Sequence, residues 1–109
     1  MPKHTIISVL SFAGSEWFDV EVVTEVYLGG DGLAVELWYT DAEGYREPLC
    51  DVSINLQVAA DKGAFWVKDY SENAGLKDAL LAAEVIVLTG RYHVMPFGDR
   101  VYEARLAEV

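Results

Sequence analysis

The side chains able to do chemistry fall in a few short stretches of this 109-residue chain. Glu16 and Asp19 stand in a turn containing Gly14, just behind a strongly apolar run. Arg91 and His93 follow Gly90 at the end of a second apolar run. A carboxyl at Asp19 within hydrogen-bond reach of a thiol or substrate can pass a proton. The alternative for Asp19 is an acid favoured by the positive end of a helix. Glu16 suits a capping or surface position. Arg91 suits an anionic substrate group, a partner's carboxylate or plain solvation, and His93 is either a binding residue or a surface one. Trp17, beside Asp19, is placed to line a pocket. Cys50 is the only thiol. It follows Pro48 and Leu49 in an irregular stretch, with no nearby cation to favour a thiolate, so it reads as structural. His4 precedes the first apolar run and also reads as structural. The two histidines and scattered acids lack the spacing of a metal site, so no metal or other cofactor is implied. Gly29, Gly30 and Gly32 with Asp31 do not form a phosphate loop, because they follow an expected helix and not a strand.

These residues need elements to position them. Residues 5–12 form a near-continuous, β-branched apolar run, the pattern of a strand buried on both faces. Phe18, Val22, Val23, Val26 and Tyr27 have the spacing of one helical face and predict a helix over residues 18–28, with Asp19 in its first turn. The glycines at 29–32 would end it. Residues 33–40 alternate as a strand does, and residues 41–44 form a turn. Residues 51–58 predict a short half-exposed strand after the break at Pro48, and residues 74–83 a short helix with Leu76, Leu80 and Leu81 on one face. Residues 84–90 predict a second buried strand, parallel to the first. Pro96 suits the first turn of a closing helix to residue 108. The fold class expected is α/β: a partial doubly wound, flavodoxin-like parallel sheet in a three-layer α/β/α arrangement, as one domain over residues 1–109. Ligands of such sheets bind at the carboxyl ends of the strands, where Asp19 and Gly90 would share an edge. The outer edge of strand 84–90 has no later strand to cover it. Its cover is expected from a copy of the chain or from a different chain.

Composition narrows the function. Eighteen acids against eight Lys and Arg give a net charge of −10. That argues against nucleic acid as a partner, since phosphate contacts need a basic surface, and against an anionic membrane surface; the alternative is that the acidic charge only keeps the chain soluble. No apolar run approaches the ~20 residues of a membrane-spanning helix. A lone cysteine suits a reducing compartment, and the chain reads as cytoplasmic.

Residues 12–19, Glu25 to Tyr27, Val35 to Leu37 with Asp41 and Gly44, and residues 83–90 together resemble the N-terminal half of the ThiJ/PfpI superfamily, the glutamine-amidotransferase-like group. Asp at position 19 behind Trp17 and Phe18 is most similar to its isocyanide hydratase and AraC-type sensor branch. The resemblance implies that Asp19 lies next to a nucleophilic cysteine. It implies that the backbone at Gly90 and Arg91 stabilises an oxyanion, with His93 and Trp17 close by. Arg91 replaces the family's second glycine, which narrows the space above that turn. The family's nucleophile elbow would lie beyond residue 109. The function implied is therefore one subunit of a hydratase or hydrolase acting on a small carbon–nitrogen or carbonyl compound. A partner chain would supply the nucleophile, and this chain would be inactive alone. The alternative is a non-catalytic small-molecule-binding or assembly module using the same crevice.

Overall fold

The computed structural model describes residues 5–26, 32–56 and 58–107. It is built from β-hairpins. The strands are β1 (Thr5–Phe12), β2 (Ser15–Val26), β3 (Leu33–Thr40), β4 (Arg46–Asp51), β5 (Ser53–Ile54), β6 (Phe65–Val67), β7 (Ile86–Val94) and β8 (Arg100–Leu106); one helix, α1 (Leu76–Ala82), lies between β6 and β7. The strands form two sheets, β1-β2-β3-β4 and β5-β6-β8-β7, and every pairing is antiparallel. The expected parallel, flavodoxin-like three-layer α/β/α fold is therefore corrected to two antiparallel sheets with, among the described residues, a single α-helix.

The reasons lie in particular residues. Ala13 and Gly14 both have positive φ, 55° and 76°, and Phe12 pairs directly with Ser15. That is a two-residue hairpin turn whose twist matches the flanking strands, so the chain folds straight back as β2 where a helix was expected. β2 carries four Val and one Thr, whose branched side chains suit a pleated sheet better than a helix. The helix expected after Pro96 is likewise the strand β8. Pro96 fits the second position of a tight turn as well as it fits a first helical turn. Met95 N–H bonds to the Asp99 carbonyl, and Gly98 takes φ 96°, closing a hairpin. The loop at Asp41 is built in the same way. Gly44 has φ 91°, and the Asp41 carboxylate accepts the N–H groups of Glu43 and Tyr45.

β1 and β2 change phase midway. Ile7 and Leu10 are both buried although they are three residues apart, while Ser8 and Val9 are both exposed. On the partner strand Phe18 and Asp19 are both exposed before Val20, Val22 and Thr24 turn inward. Ile7 pairs with Val20 and Val9 with Phe18, so Ser8 sits opposite Asp19. Asp19 has φ 52°. A left-handed residue rotates the strand and swaps its faces, and Asp tolerates that conformation better than a branched residue does.

The two sheets and α1 share one core. Leu10, Val20, Val22, Val35 and Leu37 of the first sheet join Phe65, Val67, Ile86 and Ala104 of the second, with Leu76 and Leu80 of α1. Each large aliphatic side chain so buried contributes about 1.5–3 kcal/mol. Val52 joins the sheets: its N–H bonds to the Val35 carbonyl, and its carbonyl accepts Lys68 N–H. The Ser53 hydroxyl also accepts the Val35 N–H, at 2.8 Å. No helix among the described residues is long and apolar enough to cross a membrane. His4 and residues 29–31 lie outside the described residues.

Candidate functional site

The residues singled out in the sequence separate onto the two sheets. Asp19 and Trp17 are on β2 and Gly90, Arg91 and His93 on β7, so the shared parallel edge expected for Asp19 and Gly90 is absent. Trp17 is half-buried; its Nε1–H donates to the Phe12 carbonyl at 3.1 Å and its ring packs edge-on against Tyr39 at 5.0 Å. Asp19 is exposed and serves the backbone reversal just described.

Gly90, Arg91 and His93 do belong to a polar cluster. Leu88 pairs with Ala104 and Tyr92 with Tyr102, so Thr89, Gly90 and Arg91 face the single residue Glu103. The bulge needs a left-handed residue, and Gly90 supplies it with φ 98°. It aims Thr89 and Arg91 at Glu103, which has no exposed surface. Glu103 Oε1 accepts the Thr89 hydroxyl at 2.5 Å, and Oε2 accepts Asp61 N–H and Arg91 Nη1–H, each at 2.9 Å. The same Arg91 nitrogen donates to Asp61 Oδ1 at 2.8 Å, and the guanidinium lies 5.5 Å from the centre of the Trp66 ring. The His93 ring lies 6.3 Å from the Trp66 ring between centres.

Both oxygens of Glu103 are thus engaged, and the Arg91 cation is shared between two acids. The cluster is a clasp. It ties the loop containing Asp61 to the β7–β8 hairpin, aided by Trp66 Nε1–H donating to the Val58 carbonyl at 2.8 Å and Arg105 to the Lys62 carbonyl at 2.8 Å. An arginine so occupied has little charge left for an anion. Sequence reasoning found Arg91 but missed Glu103, which it placed on a closing helix. An acid inside the alternation of Val101, Tyr102, Glu103 and Ala104 was the available signal.

Cys50 on β4 is half-buried. Burial above all, and then the nearby charges of Asp51 and Glu72, push its thiol up to about 12, with Lys68 acting weakly in the other direction. It is a protonated thiol at neutral pH and not a nucleophile.

The remaining distinctive surface is an edge. Each sheet ends in two edge strands. β4 carries Arg46, Glu47, Pro48 and Asp51, and β5 is two residues long. β7 is interrupted by its bulge and carries Arg91 and His93. Charges, proline, shortness and bulges are the devices that blunt strand edges. β1, Thr-Ile-Ile-Ser-Val-Leu-Ser-Phe, has no charge and no proline, and its pairing with β2 shows no register shift. Ile6 is 55% and Val9 44% exposed, and Phe18, the partner of Val9, is 60% exposed. Two concavities open along this strand. One, of about 580 Å³, lies between residues 11–16 and residues 74–75 at the start of α1. The other, of about 330 Å³, lies between residues 6–9 and residues 83–85 at the end of α1, with Ala107 beside them. Among the described residues no strand pairs with the outer edge of β1, and a concavity lies beside each end of that edge. No family model, curated protein or solved structure matches this chain.

Proposed function

We propose that the chain is a non-catalytic binding module that takes an extended polypeptide segment as an additional strand on the free edge of β1. The observation that carries this is the contrast among the edges: three are blunted, while β1 is apolar, has no partner on its outer side among the described residues, and is flanked by two concavities. Main-chain hydrogen bonds to a strand edge supply affinity, and pockets for alternate side chains supply selectivity. Ile6, Val9 and Phe18 offer the apolar contacts.

The fold favours this over the reading of the chain as half of a hydratase or hydrolase. That reading needs Asp19 and the backbone at Gly90 together, and they stand on different sheets. A cytoplasmic, reducing setting belongs to the same proposal, supported by the single half-buried thiol.

The test is selection from an unbiased library of nine-residue peptides displayed on phage, run in parallel on the wild-type chain and on Val9→Lys. A lysine on an edge strand opposes pairing, and Val9 is exposed enough for the change to leave the fold intact. Recovery of extended, alternating apolar sequences by the wild type alone is the expected result. Equal recovery by both proteins, or none by either, would remove β1 as a docking strand.

A further inference from the structure

Resting on that docking strand, we infer that its occupant is a basic segment: a short strand with apolar residues at alternate positions and Lys or Arg at both ends. Among the described residues, the charges around β1 are one-sided. Glu16 borders the concavity at one end of the strand and Glu84 the concavity at the other. Asp19 sits opposite Ser8 near the middle. All three are exposed, and among the described residues none is held by a Lys or Arg. Glu21, the partner of Ile6, is already bound by Arg46 at 2.6 Å and so is not among them. No basic residue among the described ones lines either concavity.

The same charges argue against a second copy of the chain as occupant. Two β1 strands paired antiparallel would lie side by side with opposite ends matched, bringing Glu16 of one toward Glu84 of the other. Two chains of net charge −10 would also have to associate. Like charges set against each other across an interface select against that partner. A basic segment is instead drawn in by the field of the whole molecule, which raises its association rate at low salt. The length follows from strand geometry. Ile6 to Ser11 spans about 17 Å, so a core of about six residues with one cation at each end covers it.

The test uses three defined peptides with a common Thr-Val-Thr-Val-Thr-Val core, acetylated and amidated, flanked by Lys, Gln or Glu at both ends. Binding is measured by calorimetry at low and high ionic strength. The Lys-flanked peptide should bind about 3- to 10-fold tighter than the Gln-flanked one at low salt, with the Glu-flanked one weakest, and that advantage should shrink at high salt. The combined Glu16→Gln and Glu84→Gln variant should bring the Lys and Gln peptides to equal affinity. A Lys-flanked peptide with proline replacing the central Thr should lose binding, because proline cannot complete the ladder. Equal affinity of the Lys and Gln peptides for the wild type would overturn the charge rule while leaving β1 as a docking strand. Undiminished binding of the proline peptide would show a diffuse ionic contact and overturn the proposal. If no peptide binds and sedimentation shows a dimer that Val9→Lys dissolves, the occupant is a second copy. If no peptide binds and the chain is a monomer, the docking strand itself is refuted.

Discussion

Arg91 Nη1 lies 2.9 Å from Oε2 of Glu103, a carboxylate with no surface in contact with water. A buried carboxylate is tolerable only while its charge is answered. Here a two-residue bulge centred on Gly90 brings the answering cation over from the neighbouring strand. Arg91→Met keeps the aliphatic stem and removes the charge, leaving Glu103 with the Thr89 hydroxyl and the Asp61 N–H. The expected loss is about 1–3 kcal/mol in urea unfolding. It is set below that for a fully buried pair because the Arg91 side chain is 44% exposed. In a Glu103→Gln background the same change should cost under about 1 kcal/mol, since a neutral amide needs no cation. Equal losses in the two backgrounds would mean that Arg91 acts by packing on Trp66 alone.

Asp19 gives a sharper contrast between chemistry and backbone. Its φ of 52° is disfavoured for most residues, least for glycine, asparagine and aspartate. Asp19→Asn and Asp19→Gly should leave stability within about 1 kcal/mol of wild type. Asp19→Val should cost about 1–2 kcal/mol or more, because a branched residue resists the left-handed region. Thermal unfolding of the three variants decides it. A neutral Asp19→Val would show that the reversal of faces between Ser8 and Val20 does not depend on this residue.

The same reversal explains much of what was and was not legible in the sequence. β3 was readable because Val35 and Leu37 alternate without interruption. The region of α1 was readable because Leu76 and Leu80 lie one turn apart and share a buried face. β1 looked buried on both faces because its inward set shifts from Ile7 to Leu10, placing apolar residues on both parities. Val22, Val23 and Val26 in β2 matched a helical face for a related reason: a strand with partly exposed valines on its outer side leaves no clean alternation. With β1 read as buried on both faces and β2 read as a helix, a parallel sheet followed. Arg91 and His93 could be grouped because they are neighbours in sequence. Their partners Asp61 and Glu103 lie 30 and 12 positions from Arg91, and only the folded hairpin brings them together.

The first hairpin offers a stabilising change. Ala13 occupies a turn position with φ 55°, followed by Gly14 with φ 76°. Asn-Gly is the preferred pair for such a turn, and alanine is poorly suited to its first position. Ala13→Asn should raise stability by about 0.5–1 kcal/mol, read as a higher urea midpoint with an unchanged slope. The side chain at position 13 is exposed, so no packing opposes the change. A lower midpoint would mean that the hairpin does not use this turn in solution.

Cys50 links burial to pH. Its thiol is shifted from an ordinary 9.0 to about 12, first by burial and then by the charges of Asp51 and Glu72. The folded state therefore keeps its proton at pH values where the unfolded chain has released it. The stability associated with the neutral thiol is complete below pH 9 and is lost as pH rises toward 12, by up to about 1.4 kcal/mol per pH unit. Other groups titrate in that range, so the measurement is a difference. Urea unfolding of wild type and Cys50→Ala should be compared between pH 8 and 11. The wild type should lose ground against the variant as pH increases, while lysines and tyrosines common to both cancel. Labelling of the native protein by a thiol-specific disulfide reagent at pH 8 should also be slow and accelerate on unfolding. A stability difference constant across that range, with rapid native labelling, would place the Cys50 thiol in contact with solvent.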